Sequence, residues 1–261
     1  MTDPVLLRDD QGPVTILTLN TPASLNALST PMLTALSAAL TDIAGSTQRA
    51  VILTATGRNF CAGHDLKEIQ ALRSDPDQGA AAFATLFDLC SQVMLQLTAL
   101  PQPVIAAVHG IATAAGCQLA ASCDMVVATD SARFGVNGVN IGLFCSTPLV
   151  ALSRKIPAAQ AFDLAATGEF MTVYRATELG LVNHITSPGN LQNKALGLAK
   201  ILAGKLPSAL ALGKRAFAAQ TAPALTAAYA QASAAMVENL MNRDTDEGIN
   251  AFLAKRPPNW A

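Results

Sequence analysis

Pro103-Val104-Ile105-Ala106-Ala107-Val108-His109-Gly110-Ile111-Ala112-Thr113-Ala114-Ala115-Gly116-Cys117-Gln118-Leu119-Ala120-Ala121 is apolar enough along its length to suggest a membrane helix. A span needs roughly 20 uninterrupted, predominantly apolar residues, and this stretch is broken by His109, Gly110, Gly116 and Gln118. It reads instead as a buried strand over Val104 to Val108, a turn, and a helix through Cys117 to Cys123. A strand that is apolar at every position is covered on both faces, the pattern of a parallel sheet packed between helices.

The same alternation continues on both sides. Val14 to Leu19 is β-branched and alternating and ends at Asn20-Thr21-Pro22, a strand running into a turn. Thr30-Pro31 starts a helix, with Thr30 as its cap and Pro31 at the first helical position. Ala50 to Thr54 is a short buried strand, Gly79 to Leu100 a long helix, and Met125 to Ala128 a further strand. Alternating strand and helix predict an α/β fold. Beyond about Leu191 helices alone follow, at Leu191 to Leu206, Ser208 to Ala219, Pro223 to Asn242 and Thr245 to Lys255. The expected division is therefore an α/β core over 1–190 and a helical C-terminal part over 191–261, packing on the core or on a neighbouring subunit. No repeat of solenoid period and no linker separates them.

Composition narrows the function classes. The chain has 261 residues, 51% of them apolar, which is ample for a buried core. Only 13% are charged and the formal net charge is −1, so no general field attracts nucleic acid or an anionic membrane. Five cysteines, widely spaced and without C-x-x-C, give neither a disulfide framework nor a zinc site. With no basic and apolar leader visible after Met1-Thr2-Asp3-Pro4, the expectation is a protein of the cytoplasm or an organelle matrix.

Two turns place backbone N–H groups ahead of helices, Ala62-Gly63-His64-Asp65 and Ala114-Ala115-Gly116, where a helix N-terminus favours negative charge. Around them, Asn59-Phe60-Cys61-Ala62-Gly63-His64-Asp65-Leu66-Lys67-Glu68 and Pro103 to Gly110, running on through Cys123-Asp124-Met125, resemble the enoyl-CoA hydratase/isomerase (crotonase) superfamily. The similarity covers about Val14 to Ile185. More loosely it reaches Phe252-Leu253-Ala254-Lys255-Arg256, like the family's F-x-x-K-R. Gly135 to Pro148 is similar to the branch of enoyl-CoA hydratase domain-containing proteins.

The resemblance implies a spiral of ββα units with a helical C-terminal subdomain, and a homotrimer or dimer of trimers. It implies an acyl-CoA substrate whose thioester oxygen is held by the N–H groups of His64 and Ala115, coenzyme A being part of the substrate and no metal or other cofactor needed. The usual pattern at the second turn is a triple glycine; alanine keeps the donor if its backbone angles allow. Ser24, Leu25, Ala62 and Lys67 fall on the coenzyme A path, with Asp65, Leu66, Gly110, Asn137, Leu143 and Cys145 as further substrate-binding positions. The family's two catalytic glutamates fall at Gln118 and Gly138, neither of which can take a proton from water. The expected activity is nominally hydration of a 2-enoyl-CoA in fatty-acid metabolism. The alternatives are a non-catalytic acyl-CoA binding or regulatory protein, an isomerase, or a thioester hydrolase using Cys145 or Ser146. His109, Asp124 and Asp163 read as structural, His184 lacks a motif, and Ser146-Thr147-Pro148 reads as a helix cap and start.

Overall fold

A computed structural model describes residues 3–220 and, beyond them, Thr245, Glu247, Ala251, 254–256 and 258–259. The expected helix from Pro223 to Asn242, most of that from Thr245 to Lys255, and Phe252 and Leu253 of the terminal motif lie outside the described residues.

Two antiparallel strands open the chain, β1 (Leu6–Gln11) and β2 (Val14–Leu19). Helix α1 (Thr30–Ala44) follows. Its cap is Ser29, whose hydroxyl accepts from the Met32 N–H, so the expected cap at Thr30 is one residue late. Thr30 is instead held by Glu68, which accepts from both its N–H and its hydroxyl. Then come β3 (Ala50–Ala55), α2 (Leu66–Leu72) and the long α3 (Ala80–Ala99). The apolar stretch that suggested a span is β4 (Val104–Val108), β5 (Ile111–Thr113) and α4 (Ala115–Ser122), a strand, a second short strand and a helix. Next are β6 (Met125–Thr129), β7 (Arg133–Gly135), α5 (Ser146–Leu152) and α6 (Ala158–Thr167). The chain continues through β8 (Phe170–Thr172), α7 (Val173–Glu178), β9 (His184–Thr186), α8 (Leu191–Ala203) and α9 (Pro207–Gln220).

The main sheet has six strands in the order β1-β2-β3-β4-β6-β9, parallel throughout except for the β1/β2 pair. A second sheet of three strands, β5-β7-β8, stands beside it. From β4 the chain enters the small sheet at β5 before α4, and from β6 it enters at β7. The segment after β3 does the same with a single bridge, Cys61 to Ala112. This repeated step from large sheet to small sheet to helix is the expected spiral of ββα units.

Both faces of the main sheet are buried. Val51 and Leu53 of β3, with Val104, Ala106 and Val108 of β4, face α1 and α3. Ala50 and Ile52, with Ile105 and Ala107, face Leu191, Ala195 and Ala199 of α8. Those three are spaced one helical turn apart, so α8 lays a single stripe on the sheet. The helix that begins the expected C-terminal part thus covers the core. Helix α9 is fastened by Lys214, whose Nζ donates to the Asp124 carboxylate at 2.7 Å and to the Leu97 carbonyl at 2.9 Å. The same carboxylate accepts from the Val104 N–H at 2.7 Å, at the start of β4.

Asp124→Ala strips two partners at once, a charged one and a buried backbone N–H. It is expected to lower unfolding stability by about 1.5–3 kcal/mol in urea titrations.

Candidate active site

The site stands at the carboxyl ends of β3 and β4, and two asparagines that the sequence reading did not single out build its base. Asn26 is buried; its amide donates to the carbonyls of Thr56 at 2.8 Å and Asn59 at 2.9 Å and accepts from the Thr21 N–H at 2.9 Å. Asn59 in turn accepts the Ile111 N–H at 3.1 Å. Asn26 was readable only as a loop residue and Asn59 only as the first residue of the stretch that carries the resemblance, since nothing local marks which carbonyls a distant amide will reach.

On that base the two turns meet backbone to backbone. A Cβ on Gly63 would lie 2.8 Å from the Ala114 methyl and 3.2 Å from the Ala115 nitrogen; one on Gly116 would lie 2.3 Å from the Cys61 carbonyl oxygen. Side chains are excluded from this contact, so glycine is needed at both positions. The N–H groups of His64 and Ala115 donate to no carbonyl among the described residues, while their neighbours do: Ala114 to Gly135 at 2.9 Å and Gln118 to Ala114 at 3.1 Å. Ala115 is the first residue of α4, so its N–H lies at the positive end of that helix. The expected tolerance of alanine for glycine holds only half-way. Ala115 is helical, but Ala114 is forced to φ 50°, ψ −123°, a region that disfavours a side chain and costs about 1–3 kcal/mol.

In front of these donors lies a cavity of about 480 Å³. Of the sequence-derived candidates, Ala62, His64, Leu66, Ala115, Asn137, Gly138, Leu143, Cys145 and Ser146 line it. Ile69, Phe87 and Thr113, which carried no signal beyond being apolar or small, complete much of the wall with Ile141, Phe144 and Pro148 of the stretch similar to the branch. The other candidates lie off it. Asp65 caps α2, accepting from the Lys67 N–H at 2.9 Å, and Lys67 is exposed on the first turn of that helix. Ser24 is exposed, and Leu25 (φ 55°) accepts the Ala62 N–H at 3.1 Å, tying that loop to the first turn. A Cβ on Gly110 would lie 2.1 Å from the Arg58 carbonyl oxygen, so its small size serves packing.

Gln118 is buried on α4 with its Oε1 unpartnered among the described residues, and it is not part of the cavity wall. At Gly138 the space for a side chain is already filled: a Cβ there would meet the Leu143 carbonyl oxygen at 2.3 Å and the Cys145 sulfur at 2.7 Å. No aspartate or glutamate is among the lining residues. Thr113 donates its hydroxyl to the Asn137 side-chain carbonyl, and Asn140 donates to the Gly168 carbonyl at 3.1 Å.

The only imidazole in the wall is His64. Its Nδ1 lies 3.2 Å from the Leu28 carbonyl, which can only accept, so Nδ1 carries the proton. Burial pushes the group below the ordinary 6.5 of histidine, against the opposing pull of that hydrogen bond and of Glu68, and the ring packs edge-on against Phe87 at 5.2 Å. Cys145 is likewise pushed up by burial, so its thiol stays protonated. Outside the cavity, His109 bonds the Gly57 carbonyl at 3.0 Å and Asp163 lies exposed on α6, as expected of structural residues. His184 begins β9. Ser146 starts α5 without capping it.

Residues 9–261 match the family described as enoyl-CoA hydratase/isomerase, and the chain belongs to that family, in its branch of enoyl-CoA hydratase domain-containing proteins. A crystal structure of an enoyl-CoA hydratase from Mycobacterium smegmatis superimposes with a TM-score of 0.94 at 47% identity, over 99% of both chains. The crystal structure of human enoyl Coenzyme A hydratase domain-containing protein 3 gives 0.92 at 40% identity, over 98% of this chain and 100% of that one. The Danio rerio protein named enoyl-CoA hydratase domain-containing protein 3, mitochondrial, is 40% identical over 256 residues, 98% of this chain and 87% of its own.

Ala114→Gly relieves the strained backbone and should raise stability by about 1 kcal/mol in denaturant titrations, the relief outweighing the extra chain entropy of glycine. Gly138→Glu must displace the Leu143 carbonyl and should cost about 1–3 kcal/mol, whereas the near-isosteric Gln118→Glu should fold; matched thermal melts decide. Because folded His64 binds its proton less tightly than the unfolded chain, its contribution is complete above 6.5 and is lost as pH falls from there through its folded pKa. Urea midpoints of wild type and His64→Asn, followed from neutral pH toward about 5, should therefore draw together, the wild type declining more steeply.

Proposed function

We propose that this chain binds an acyl-CoA thioester with the thioester oxygen between the N–H groups of His64 and Ala115, an oxyanion hole, and that hydration of 2-enoyl-CoA is at most a slow activity. The observation that carries this reading is the pair of unengaged donors at the head of a cavity whose wall holds no carboxylate. Acyl-CoA processing follows from the family. The hole supplies what enolate-forming chemistry needs, donors fixed where negative charge develops, with the α4 N-terminus adding its partial positive charge.

What the wall does not supply is a carboxylate to take a proton from water; the unprotonated Nε2 of His64 is buried and has no partner among the described residues. Each positioned acid or base contributes about 10²- to 10⁴-fold. Neutral amides and hydroxyls at Asn137 and Thr113 orient water without deprotonating it. Thioester hydrolysis through Cys145 gains no support, since burial holds the thiol protonated and Ser146 turns its hydroxyl to the Phe144 carbonyl. Ser24, Leu25 and Lys67, beside the first turn, are our candidates for the coenzyme A end of the ligand. A trimer or dimer of trimers in the cytoplasm or an organelle matrix completes the proposal, and sedimentation as a monomer alone would remove the assembly from it.

Calorimetry with hexanoyl-CoA and with free CoA, beside loss of the enoyl absorbance of 2-hexenoyl-CoA, tests this. Tighter binding of the thioester than of CoA is expected, with turnover at least about 10²-fold below a glutamate-bearing hydratase assayed in parallel. Equal affinity for CoA and thioester would sink the oxyanion hole. Turnover matching that hydratase would sink the slow-hydration reading.

A further inference from the structure

We infer that the side chain of His64 is the proton acceptor of this site: its Nε2 takes a proton from the α-carbon of the bound thioester while the N–H of the same residue holds the thioester oxygen. This rests on the proposed thioester binding at His64 and Ala115.

The ring lines the cavity, and the fold treats its two nitrogens differently. Nδ1 donates to the Leu28 carbonyl at 3.2 Å, and Leu28 is itself fixed, its N–H donating to the Gly63 carbonyl at 2.7 Å. Phe87 meets the ring edge-on at 5.2 Å. Tautomer and orientation are thereby set, and the basic lone pair falls to Nε2. That nitrogen is buried and has no partner among the described residues. A buried acceptor left unpaired costs about 1–3 kcal/mol, and such a group on the wall of a binding cavity calls for a role. Nothing else in the wall competes for it: the Cys145 thiol stays protonated, Asn137 and Thr113 are neutral, and no carboxylate is among the lining residues.

In the step, the Cα–H bond breaks and its proton passes to Nε2, while its electron pair forms a double bond to the thioester carbon and the carbonyl pair moves onto oxygen. The enolate oxygen is then held by the two N–H groups, and the new imidazolium supplies the opposite charge. Return of the proton to carbon restores both partners. Burial makes the ring a weaker base than an ordinary histidine. A weak base serves an acidic carbon, so the substrate class is a thioester whose α-carbon also adjoins a second π system. Among the groups packed around the ring, Glu68 on the first turn of α2 opposes the effect of burial. Helix α3 brings Phe87, with Asp88 exposed beside it and the Cys90 thiol pushed up to about 12 by burial.

Phenylacetyl-CoA is the probe, because its α-carbon lies between the thioester and a ring and it has no double bond to hydrate or move. With the full chain in its native assembly in D₂O, proton NMR follows deuterium entering the α-carbon, and calorimetry compares the thioester with free CoA. Wild type should exchange the α-protons above a protein-free control. His64→Asn, which keeps the backbone N–H and a side-chain donor for Leu28, should still bind the thioester more tightly than CoA but exchange about 10²- to 10⁴-fold more slowly. His64→Gln is the second variant, and circular dichroism checks the folding of both. The wild-type rate should be level above about pH 7 and decline below 6.5, where the ring takes up its proton. Exchange that persists in both variants, or a rate that climbs through about pH 8.5 as a thiol ionises, overturns the inference. So does a wild type that binds the thioester above CoA without exchanging it, which leaves the thioester site standing. If the thioester binds no better than CoA, that site fails and the inference with it.

Discussion

Two stretches of main chain, 59–64 and 110–116, lie so close that no side chain fits between them, and the rest of the site depends on that approach. Gly63 abuts Ala114 and Ala115, and Gly116 abuts the carbonyl of Cys61. Backbone can approach backbone this closely only where the intervening polar groups are paired. Here Cys61 and Thr113 exchange N–H donors with carbonyls across the gap, at 3.1 Å to Ile111 and 3.0 Å to Cys61. Those bonds use up the donors before the turns and leave two beyond them free. The unengaged N–H groups are thus the place where pairing between the stretches stops, and the spiral of ββα units brings them to the carboxyl ends of the strands, where open α/β sheets present ligands.

Ala114 shows the stress in this arrangement. A residue with a methyl group sits where the angles suit glycine, and non-glycine residues held in such regions cluster at functional sites because the surrounding structure over-determines them. Two glycines packed against fixed carbonyls, and the Ala114 N–H bonded to Gly135, leave the turn no other conformation. The loop at Gly138 is determined in the same way, from both sides, by the backbone of Leu143. The main chain of the site is therefore held from both sides, and that packing, rather than any side chain in the cavity wall, sets its shape.

What was legible in the sequence follows from this. Val104–Val108 was readable to the residue because a strand buried on both faces leaves an unbroken apolar run between turn residues, and Val14–Leu19 because its β-branched, alternating run ends at Asn20-Thr21-Pro22. The three-residue strands β5, β7 and β8 were not, because so few residues carry no period and their pairing is set by the spiral. Strand β1 was missed for another reason: Arg8, Asp9 and Asp10 face solvent at the sheet edge, so it reads as a polar loop. Among the residues lining the cavity, His64, Ala115, Asn137 and Cys145 were named through motif and resemblance. Phe87 and Ile69 were not, since an apolar residue on a helix does not say which cavity it borders. The blocked space at Gly138 was also invisible, because it belongs to a carbonyl from a residue further along the loop.

The two ends of the main sheet carry different burdens. At the amino ends of β3 and β4, Asp124 joins the Val104 N–H to Lys214, and Arg49 reaches the Lys205 carbonyl at 3.0 Å, so the helices that cover the sheet are moored there. At the carboxyl ends stand the turns, the cavity and the folded loop. Because the anchorage and the chemistry share strands but not residues, drift at the working edge leaves the moorings untouched. Such a molecule can change what it acts on, or cease to act, while remaining the same folded object.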